Sequence, residues 1–317
     1  MSNPKILAVV GATGAQGGGL VRAIQADPGG GFRARAITRK AAGEKAEALR
    51  KLGAEVVEAD LDDEASLSKA FAGAHGAFCV TNFWEHFSPA KELGQAGNMA
   101  RAAKAARLEH IVWSTLEDTR LRVPLADTRM PTLMEKYKVP HFDAKAEADA
   151  LFAQAGVPTT YLLTTFYWEN LIYFGMGPKM GPDGKFAITL PMGNSRLSGI
   201  AAEDIGKCAF GIFGQGKQWI GKRVGISGEH LTGAQMAAEL SKALGMDVAY
   251  NMVTPAVFRG FGFPGADDLG NMFQYYTEFE EEFVAARSLE TTRSLNPALL
   301  DFKAWLAKYK DRIPLAS

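Results

Sequence analysis

Short aliphatic and β-branched runs alternate with longer stretches of helical period along the first half of the chain. Such alternation is typical of parallel strands covered by helices on both faces of a sheet. Right-handed crossover connections then predict a doubly wound sheet. The predicted strands span residues 6–11, 33–38, 54–59, 76–81, 110–115 and 159–164, and the predicted helices begin at Gln16, Ala42, Glu64, Pro89 and Phe142.

A cluster of glycines joins the first predicted strand to the first predicted helix, in the stretch VVGATGAQGGG. Because a helix N-terminus attracts anions, this turn predicts a binding site for a dinucleotide pyrophosphate. Gly11 would permit the tight turn, Gly14 would let the backbone approach the phosphate, and Gly17 would let the helix pack close to the sheet. The predicted cofactor residues of this loop are Gly11, Thr13, Gly14, Ala15, Gln16 and Gly17.

The residues after the second predicted strand indicate which dinucleotide is bound. The chain reads AITRKAAGEK there, so Arg39 and Lys40 stand where an NAD-binding protein places a carboxylate. Cations at a helix start oppose the helix dipole, and an anionic partner accounts for them better than a solvated helix start does. The sequence therefore predicts NADP(H), with the 2′-phosphate held by Arg39 and Lys40.

Two further strand ends contribute to the predicted site, because ligands bind at the carboxyl edge of open α/β sheets. Asp60 and Leu61 follow the third strand and are placed to flank the adenine, although a helix N-cap at Asp60 or Asp62 accounts for these carboxylates equally well. Thr81, Asn82 and Phe83 follow the fourth strand and could line the nicotinamide pocket or form a capped loop that closes the core.

The pattern changes after residue 165, where aromatic segments punctuated by glycine and proline replace the alternation. The fold predicted is therefore α/β, a Rossmann-type NAD(P)-binding doubly wound parallel sheet with a smaller C-terminal lobe. Residues 1–165 form the predicted NADP-binding domain. Residues 166–317 form a mixed substrate or partner lobe that is interleaved with the end of the sheet.

Composition narrows the function classes. The 317 residues are 47% hydrophobic, and 35 basic residues balance 35 acidic ones, so no global field recruits nucleic acid or an anionic membrane. No apolar run approaches the roughly 20 residues of a membrane span, and no signal-peptide pattern opens the chain. Both cysteines, Cys79 and Cys208, are expected to be buried thiols, and the histidines lack metal-ligand spacing. We expect a cytoplasmic protein, with a nuclear location also open in a eukaryote.

The order of several motifs resembles the NmrA-like family of atypical short-chain dehydrogenases. These motifs are GATGAQGG, ITRK, GAEVVEADLDD, VTNFWE, HFDAK, YWENL and FPGADDLGNMF, and they cover almost the whole chain. The resemblance is greatest to NmrA-like proteins that respond to NADPH as redox sensors. It implies an NADP(H)-binding regulator. Those relatives carry a lysine on the helix after strand four, and Lys91 does not fall cleanly on that position.

The resemblance to short-chain reductases also locates the candidate catalytic residues. Those enzymes use a Tyr-x-x-x-Lys pair, in which the lysine holds the ribose and lowers the tyrosine pKa. In HFDAK, His141 stands at the tyrosine position and Lys145 at the lysine position. His141 could act as the general acid or be a helix-start residue without a catalytic task, and the second interpretation is favoured. Tyr167 could replace the missing tyrosine, as could Tyr137.

The segment FYWEN after the sixth strand completes the predicted site. The resemblance implies that the backbone of Phe166 and Tyr167 contacts the cofactor, and the predicted site includes Glu169 and Asn170. The aromatic side chains form either a pocket wall or part of the core. The long segment 118–140 is punctuated by three prolines and is expected to be a lid, a binding loop or disordered.

Two functions follow. The first is a redox-sensing regulator that acts through cofactor-dependent conformation or association. The second is an NADPH-dependent reductase of a small carbonyl, quinone or activated alkene, with Lys145 positioning the cofactor and His141 or Tyr167 delivering a proton. Direct nucleic-acid binding and a membrane partner are disfavoured, while a protein partner, a small-molecule substrate and a homodimer remain open.

Overall fold

The computed structural model describes residues 3–181 and 183–315 of the chain, which contain strands in three sheets. The strands are β1 (Lys5–Val9), β2 (Phe32–Thr38), β3 (Glu55–Glu58), β4 (Gly76–Cys79), β5 (His110–Thr115), β6 (Thr159–Leu163), β7 (Phe166–Tyr167), β8 (Lys179–Met180), β9 (Phe186–Leu190), β10 (Arg196–Ile200), β11 (Arg223–Gly225), β12 (Glu229–Thr232) and β13 (Val248–Met252).

Helices cover both faces of the largest sheet and build most of the C-terminal half. They are α1 (Ala15–Ala26), α2 (Glu44–Lys51), α3 (Glu64–Phe71), α4 (Phe83–His86), α5 (Pro89–Ala105), α6 (Pro140–Ala155), α7 (Asn170–Tyr173), α8 (Ala202–Gln215), α9 (Gly233–Leu244), α10 (Pro255–Arg259), α11 (Ala266–Glu278), α12 (Glu280–Ala285), α13 (Leu289–Leu295) and α14 (Phe302–Tyr309). Short 3₁₀ turns lie at Thr119–Leu121, Gly216–Trp219 and Lys310–Arg312.

The central sheet has seven parallel strands in the order β11-β6-β5-β4-β1-β2-β3. The strand order reverses between β1 and β4, which is the switch point where doubly wound sheets bind their ligands. The predicted α/β fold and its strands are therefore confirmed, with strand ends that differ by a residue or two. Strand β11 comes from the second half of the chain and pairs with β6 through Val224 and Leu162.

Two small sheets and the C-terminal helices enclose a second core. One sheet has the order β12-β10-β7 and the other β13-β9-β8. Trp168 packs against Phe302 and Trp305, with ring centroids 5.4 and 6.1 Å away. This aromatic cluster buries the chain that leaves β6 within the second core.

Glycines allow α1 to lie unusually close to its neighbours. A Cβ on Gly17 would lie 2.6 Å from the carbonyl oxygen of Gly11, and one on Gly19 would lie 2.6 Å from that of Glu203 in α8. A Cβ on Gly206 would collide with the backbone of α1 from the opposite side. The glycine run thus serves two purposes, because its first part forms the turn and its last part packs α1 against α8.

Both cysteines are buried and free, as expected, and burial raises the pKa of each thiol above its ordinary value. Within residues 3–181 and 183–315, no helix is both long enough and apolar enough to cross a bilayer. The same residues contain no group of three or more His, Cys, Asp or Glu side chains that could hold a metal ion.

The α1–α8 contact predicts a position-specific effect of adding one methyl group. We expect Gly206→Ala to lower the free energy of unfolding by about 1–3 kcal/mol, because the new Cβ meets the α1 backbone, which cannot move aside. Gly214→Ala, near the end of the same helix, has open space and should be neutral or stabilising by up to about 1 kcal/mol. Urea denaturation of both variants measures the difference. Equal stabilities would contradict the proposed close packing.

Candidate functional site

The glycine turn between β1 and α1 presents free backbone donors. Gly11 has a φ of +64°, and its carbonyl accepts a hydrogen bond from the Gly14 N–H at 2.8 Å. Gly14 is the N-cap of α1 and provides no side chain to cap it. The N–H groups of Ala15, Gln16 and Gly17 have no acceptor in the described part of the chain. This turn fits a dinucleotide pyrophosphate, since the donors and the helix dipole both favour an anion.

Arg39 and Lys40 lie directly after β2, at the carboxyl edge of the sheet, and both are exposed. The Arg39 guanidinium binds the Glu85 carboxylate of α4 at 2.6 Å, with the side chains 58% and 46% exposed. This contact raises the pKa of Arg39, chiefly through the hydrogen bond to Glu85. The basic group expected to hold a 2′-phosphate is therefore accessible and already paired with an internal carboxylate.

Asp60 and Leu61 follow β3 and are half-buried at the same edge. The N-cap of α3 is Asp63, whose Oδ1 accepts hydrogen bonds from the Ala65 and Ser66 N–H groups. The alternative interpretation of Asp60 or Asp62 as the N-cap was therefore wrong. Asp60 instead accepts a hydrogen bond from the Asp62 N–H at 2.9 Å, and its placement beside an adenine stays a prediction.

Lys145 is buried between α6, α5 and the end of β4. Its Nζ donates to Glu92 Oε1 at 2.6 Å, to Thr81 Oγ1 at 2.7 Å and to the Thr81 carbonyl at 3.2 Å. Glu92 is fully buried, and Thr81 Oγ1 also donates to its Oε1. An ammonium group has no further N–H to offer once these bonds are made. The ribose-holding role predicted for Lys145 would therefore need at least one of these contacts to break.

Two polar atoms beside the Lys145–Glu92 pair lack hydrogen bonds within the described residues, one on His86 and one on Glu92. His86 Nδ1 accepts a hydrogen bond from the Ser88 N–H at 3.1 Å, so the ring proton of a neutral His86 lies on Nε2. That nitrogen faces Glu92 Oε2 at 3.6 Å, which is too long for a hydrogen bond. Both atoms are buried, and neither has a hydrogen-bond partner among the residues that the structure describes. Burial also lowers the pKa of His86.

His141 lies in the first turn of α6 and is bound by a residue of the C-terminal half. Its Nδ1 is 2.5 Å from Asp268 Oδ1, and its backbone N–H donates to Asp268 Oδ2 at 3.1 Å. The imidazole lies against Trp84, with centroids 4.7 Å apart. Its Nε2 has no hydrogen-bond partner among the described residues. His141 is thus oriented by a carboxylate, as acid–base histidines are, although the same contact also fastens α6 to α11.

A chain of polar side chains closes the crevice beside α1. Ser114 Oγ donates to Gln16 Oε1 at 2.8 Å, and Gln16 Nε2 donates to the Tyr167 hydroxyl at 2.6 Å. Burial raises the pKa of Tyr167 to about 12, so its hydroxyl stays protonated at neutral pH. Gln16, from the glycine turn, therefore meets the candidate catalytic tyrosine directly.

The other side chains after β6 belong to the packing of the C-terminal half. Phe166 and Trp168 are 4% and 2% exposed within the second core, so the core interpretation holds for them and the pocket-wall interpretation does not. The Glu169 carboxylate accepts hydrogen bonds from the Ala202 N–H at 2.8 Å and from Trp305 Nε1 at 3.0 Å, and burial raises its pKa. Asn170 begins α7. Backbone contacts from Phe166, and cofactor contacts from Glu169 and Asn170, remain predictions.

The long segment before α6 is held against α11. Asn271 Nδ2 donates to the carbonyls of Pro131 and Lys138 at 2.9 and 2.6 Å. Lys138 is almost fully buried, and its Nζ donates to the carbonyls of Asp127 and Met130. Of the expected alternatives, disorder was therefore wrong, because buried polar contacts order this segment.

The structure brings most predicted residues to one edge of the sheet and adds several that sequence reasoning missed. Glu92 and Asp268 lie in the first turns of α5 and α11, and no motif distinguishes them from other acids at helix starts. Glu85 and His86 carried no motif. Lys91, next to Glu92, instead forms a surface ion pair with Asp62 at 2.9 Å. The added residues that contact the site are Glu85, His86, Glu92 and Asp268.

The NmrA-like family model matches residues 3–306. The chain belongs to the NmrA-like family. The NmrA-like oxidoreductase FrzB of Cladobotryum sp is 28% identical over 295 residues, which cover 85% of this chain and 83% of that protein. Crystal structures of NmrA, described as a negative transcriptional regulator, are 25% identical and cover 97% of this chain and 95% of NmrA. The complex with NADP has a TM-score of 0.75, and the complex with NAD 0.76.

The Lys145–Glu92 pair predicts a large effect in this NmrA-like protein when only one partner is removed. We expect Lys145→Met to lower the free energy of unfolding by about 3–5 kcal/mol, because Glu92 is left as a buried uncompensated charge. The double variant Lys145→Met with Glu92→Leu should regain most of that loss. Chemical denaturation at pH 7 measures both.

A matched surface pair serves as the control. Arg101 Nε binds Glu64 Oε2 at 2.7 Å, with side chains 56% and 45% exposed. Arg101→Met should cost at most about 1 kcal/mol, since exposed ion pairs contribute little. A cost for Lys145→Met no larger than that for Arg101→Met would contradict the buried-pair interpretation.

Proposed function

We propose that this protein is an NADP(H)-binding regulator that reports the redox state or abundance of the cofactor through its conformation or association. The observation that carries the proposal is the state of Lys145. A short-chain reductase needs this lysine free beside a tyrosine, whereas here its N–H groups are bound by Thr81 and Glu92, and a histidine takes the tyrosine position.

The proposed preference for the phosphorylated cofactor rests on the end of β2. Thr38 is the last residue of that strand. The exposed cations Arg39 and Lys40 follow it, and the next carboxylate along the chain is Glu44. A guanidinium matches a phosphate with two parallel hydrogen bonds, which a ribose hydroxyl cannot reproduce. The NmrA structures were described with NADP and with NAD, so a nicotinamide dinucleotide suits this fold in both forms.

The regulatory role requires two conformations with different affinities for the cofactor, since a ligand bound equally by both shifts nothing. The name of NmrA as a negative transcriptional regulator supports such a role in this family. A partner protein or a second copy of the chain would read the conformation. The neutral net charge disfavours direct reading of nucleic acid.

The second candidate function is an NADPH-dependent reductase, and the His141–Asp268 pair favours it. The carboxylate fixes the imidazole through Nδ1, and Nε2 makes no hydrogen bond to any residue within 3–181 and 183–315. This is the arrangement of a side chain that exchanges a proton with a substrate. Tyr167, protonated at neutral pH, is the alternative donor. Several relatives, FrzB included, are named oxidoreductases.

Calorimetric titration with NADP⁺, NADPH, NAD⁺ and NADH, combined with NADPH absorbance against quinones and aldehydes, separates the two functions. We expect NADP⁺ to bind at least about tenfold more tightly than NAD⁺, and Arg39→Gln to remove most of that preference, because a charge-assisted phosphate contact is worth about 1.5–3 kcal/mol. We expect no saturable NADPH oxidation.

Saturable oxidation that His141→Ala abolishes would make the protein a reductase and overturn the regulator. Equal affinities for NADP⁺ and NAD⁺ in the unaltered protein would overturn the role given to Arg39.

A further inference from the structure

The single-turn helix α4 contacts three parts of the candidate site: Arg39, the Lys145–Glu92 pair and His141. Glu85 binds Arg39, where we place the 2′-phosphate, and His86 faces the Glu92 carboxylate that holds Lys145. The Phe83 and Trp84 rings lie 6.1 and 4.7 Å from the His141 ring. One short element therefore spans the distance between the adenosine end and the nicotinamide end of the site.

We propose that Glu85 lowers the preference of the site for NADP(H) over NAD(H), because it occupies the position on Arg39 that the 2′-phosphate of NADP(H) takes when it binds. This inference rests on the NADP(H) site proposed above. A carboxylate and a phosphate present similar oxygen pairs to a guanidinium, so the two compete for the same N–H groups of Arg39. NAD(H) lacks the phosphate and leaves the Arg39–Glu85 pair intact.

The pair has the strength that such a competitor needs. Its side chains are 58% and 46% exposed, and exposed ion pairs stabilise a structure only weakly, by a factor of about five or less in the equilibrium constant. A phosphate dianion, with its larger charge, displaces the carboxylate at small cost. A buried Glu85 would instead block the site, as Glu92 does for Lys145.

Displacement of Glu85 also breaks the ion pair that joins α4 to Arg39, the residue after β2. The helix has a second contact within reach, because His86 Nε2 and Glu92 Oε2 face each other at 3.6 Å and neither atom has another partner in the described part of the chain. A shift of well under 1 Å would bring them to ordinary hydrogen-bond distance. Trp84 of the same helix already contacts His141 and lies next to Gly265, where the chain enters α11, so a movement of α4 changes the surroundings of Trp84. NADP(H) would thus move α4, and NAD(H) would not.

Binding of NADP⁺ and NAD⁺ to Glu85→Gln tests the proposal. We expect NADP⁺ to bind about two- to fivefold more tightly than to the unaltered protein, because the competing charge is gone, and NAD⁺ to bind as before. The gain should vanish in the Arg39→Gln background, where Glu85 has no guanidinium to occupy. Glu64→Gln, which removes a similarly exposed carboxylate from its pair with Arg101, should leave both affinities unchanged.

Tryptophan emission gives a second readout. NADP⁺ should change the emission of the unaltered protein more than NAD⁺ does, and Trp84→Phe should remove that difference. In Glu85→Gln, where α4 is already released, the NADP⁺-induced change should shrink.

An unchanged NADP⁺ affinity in Glu85→Gln, or a gain that persists in the Arg39→Gln background, would overturn the role of Glu85 and leave the NADP(H) site standing. An Arg39→Gln variant that binds NADP⁺ as tightly as the unaltered protein would instead overturn the proposed NADP(H) site, and the inference with it.

Discussion

The close packing of α1 between the central sheet and α8 is the constraint on which the rest of the site depends. Glycines on both helices let the backbones meet where a single Cβ would collide. Because α1 lies so close to β1, its free N–H groups open directly onto the switch point between β1 and β4. Packing on one side of the helix thus fixes the anion-binding geometry at its end, and neither feature can change alone.

The Lys145–Glu92 pair is the second constraint on the site. It positions the surrounding elements and adds little to the free energy of unfolding beyond what apolar residues would add. Burying two charges offsets much of the Coulomb energy gained, so apolar residues could supply equal stability. The pair joins α5 and α6 to the loop after β4, because Lys145 also donates to Thr81. In a reductase the same lysine serves the cofactor. In this chain its N–H groups are bound by Glu92 and Thr81, and a histidine stands at the tyrosine position, so both features support the proposed regulator.

The fold could be predicted because it depends on local sequence patterns. Part of the site could not, because it depends on contacts between residues far apart in the chain. Strand and helix patterns, the Gly11 turn and the cations after β2 depend on neighbours in the chain, so they were predictable. Asp268 lies 127 positions from His141, and no periodicity links them. No local pattern distinguishes Glu92 from a solvated helix acid, and only the packing of α6 on α5 places Lys145 beside it. Phe166 and Trp168 were ambiguous because a pocket wall and a core use the same aromatic residues.

The weakness of the Arg39–Glu85 pair limits what α4 can do as a sensor. Moving a two-state equilibrium almost completely from one side to the other takes about 5.5 kcal/mol of differential binding, whereas an exposed ion pair supplies at most about 1 kcal/mol. Displacing Glu85 therefore shifts the equilibrium between the two positions of α4 only in part. The remaining free energy has to come from contacts made only in the shifted state, such as a hydrogen bond from His86 to Glu92, and from a partner that binds that state alone. The cofactor affinity and the partner affinity of such a regulator are linked by the same coupling free energy. The cofactor therefore shifts α4 more completely when the partner is present at a higher concentration.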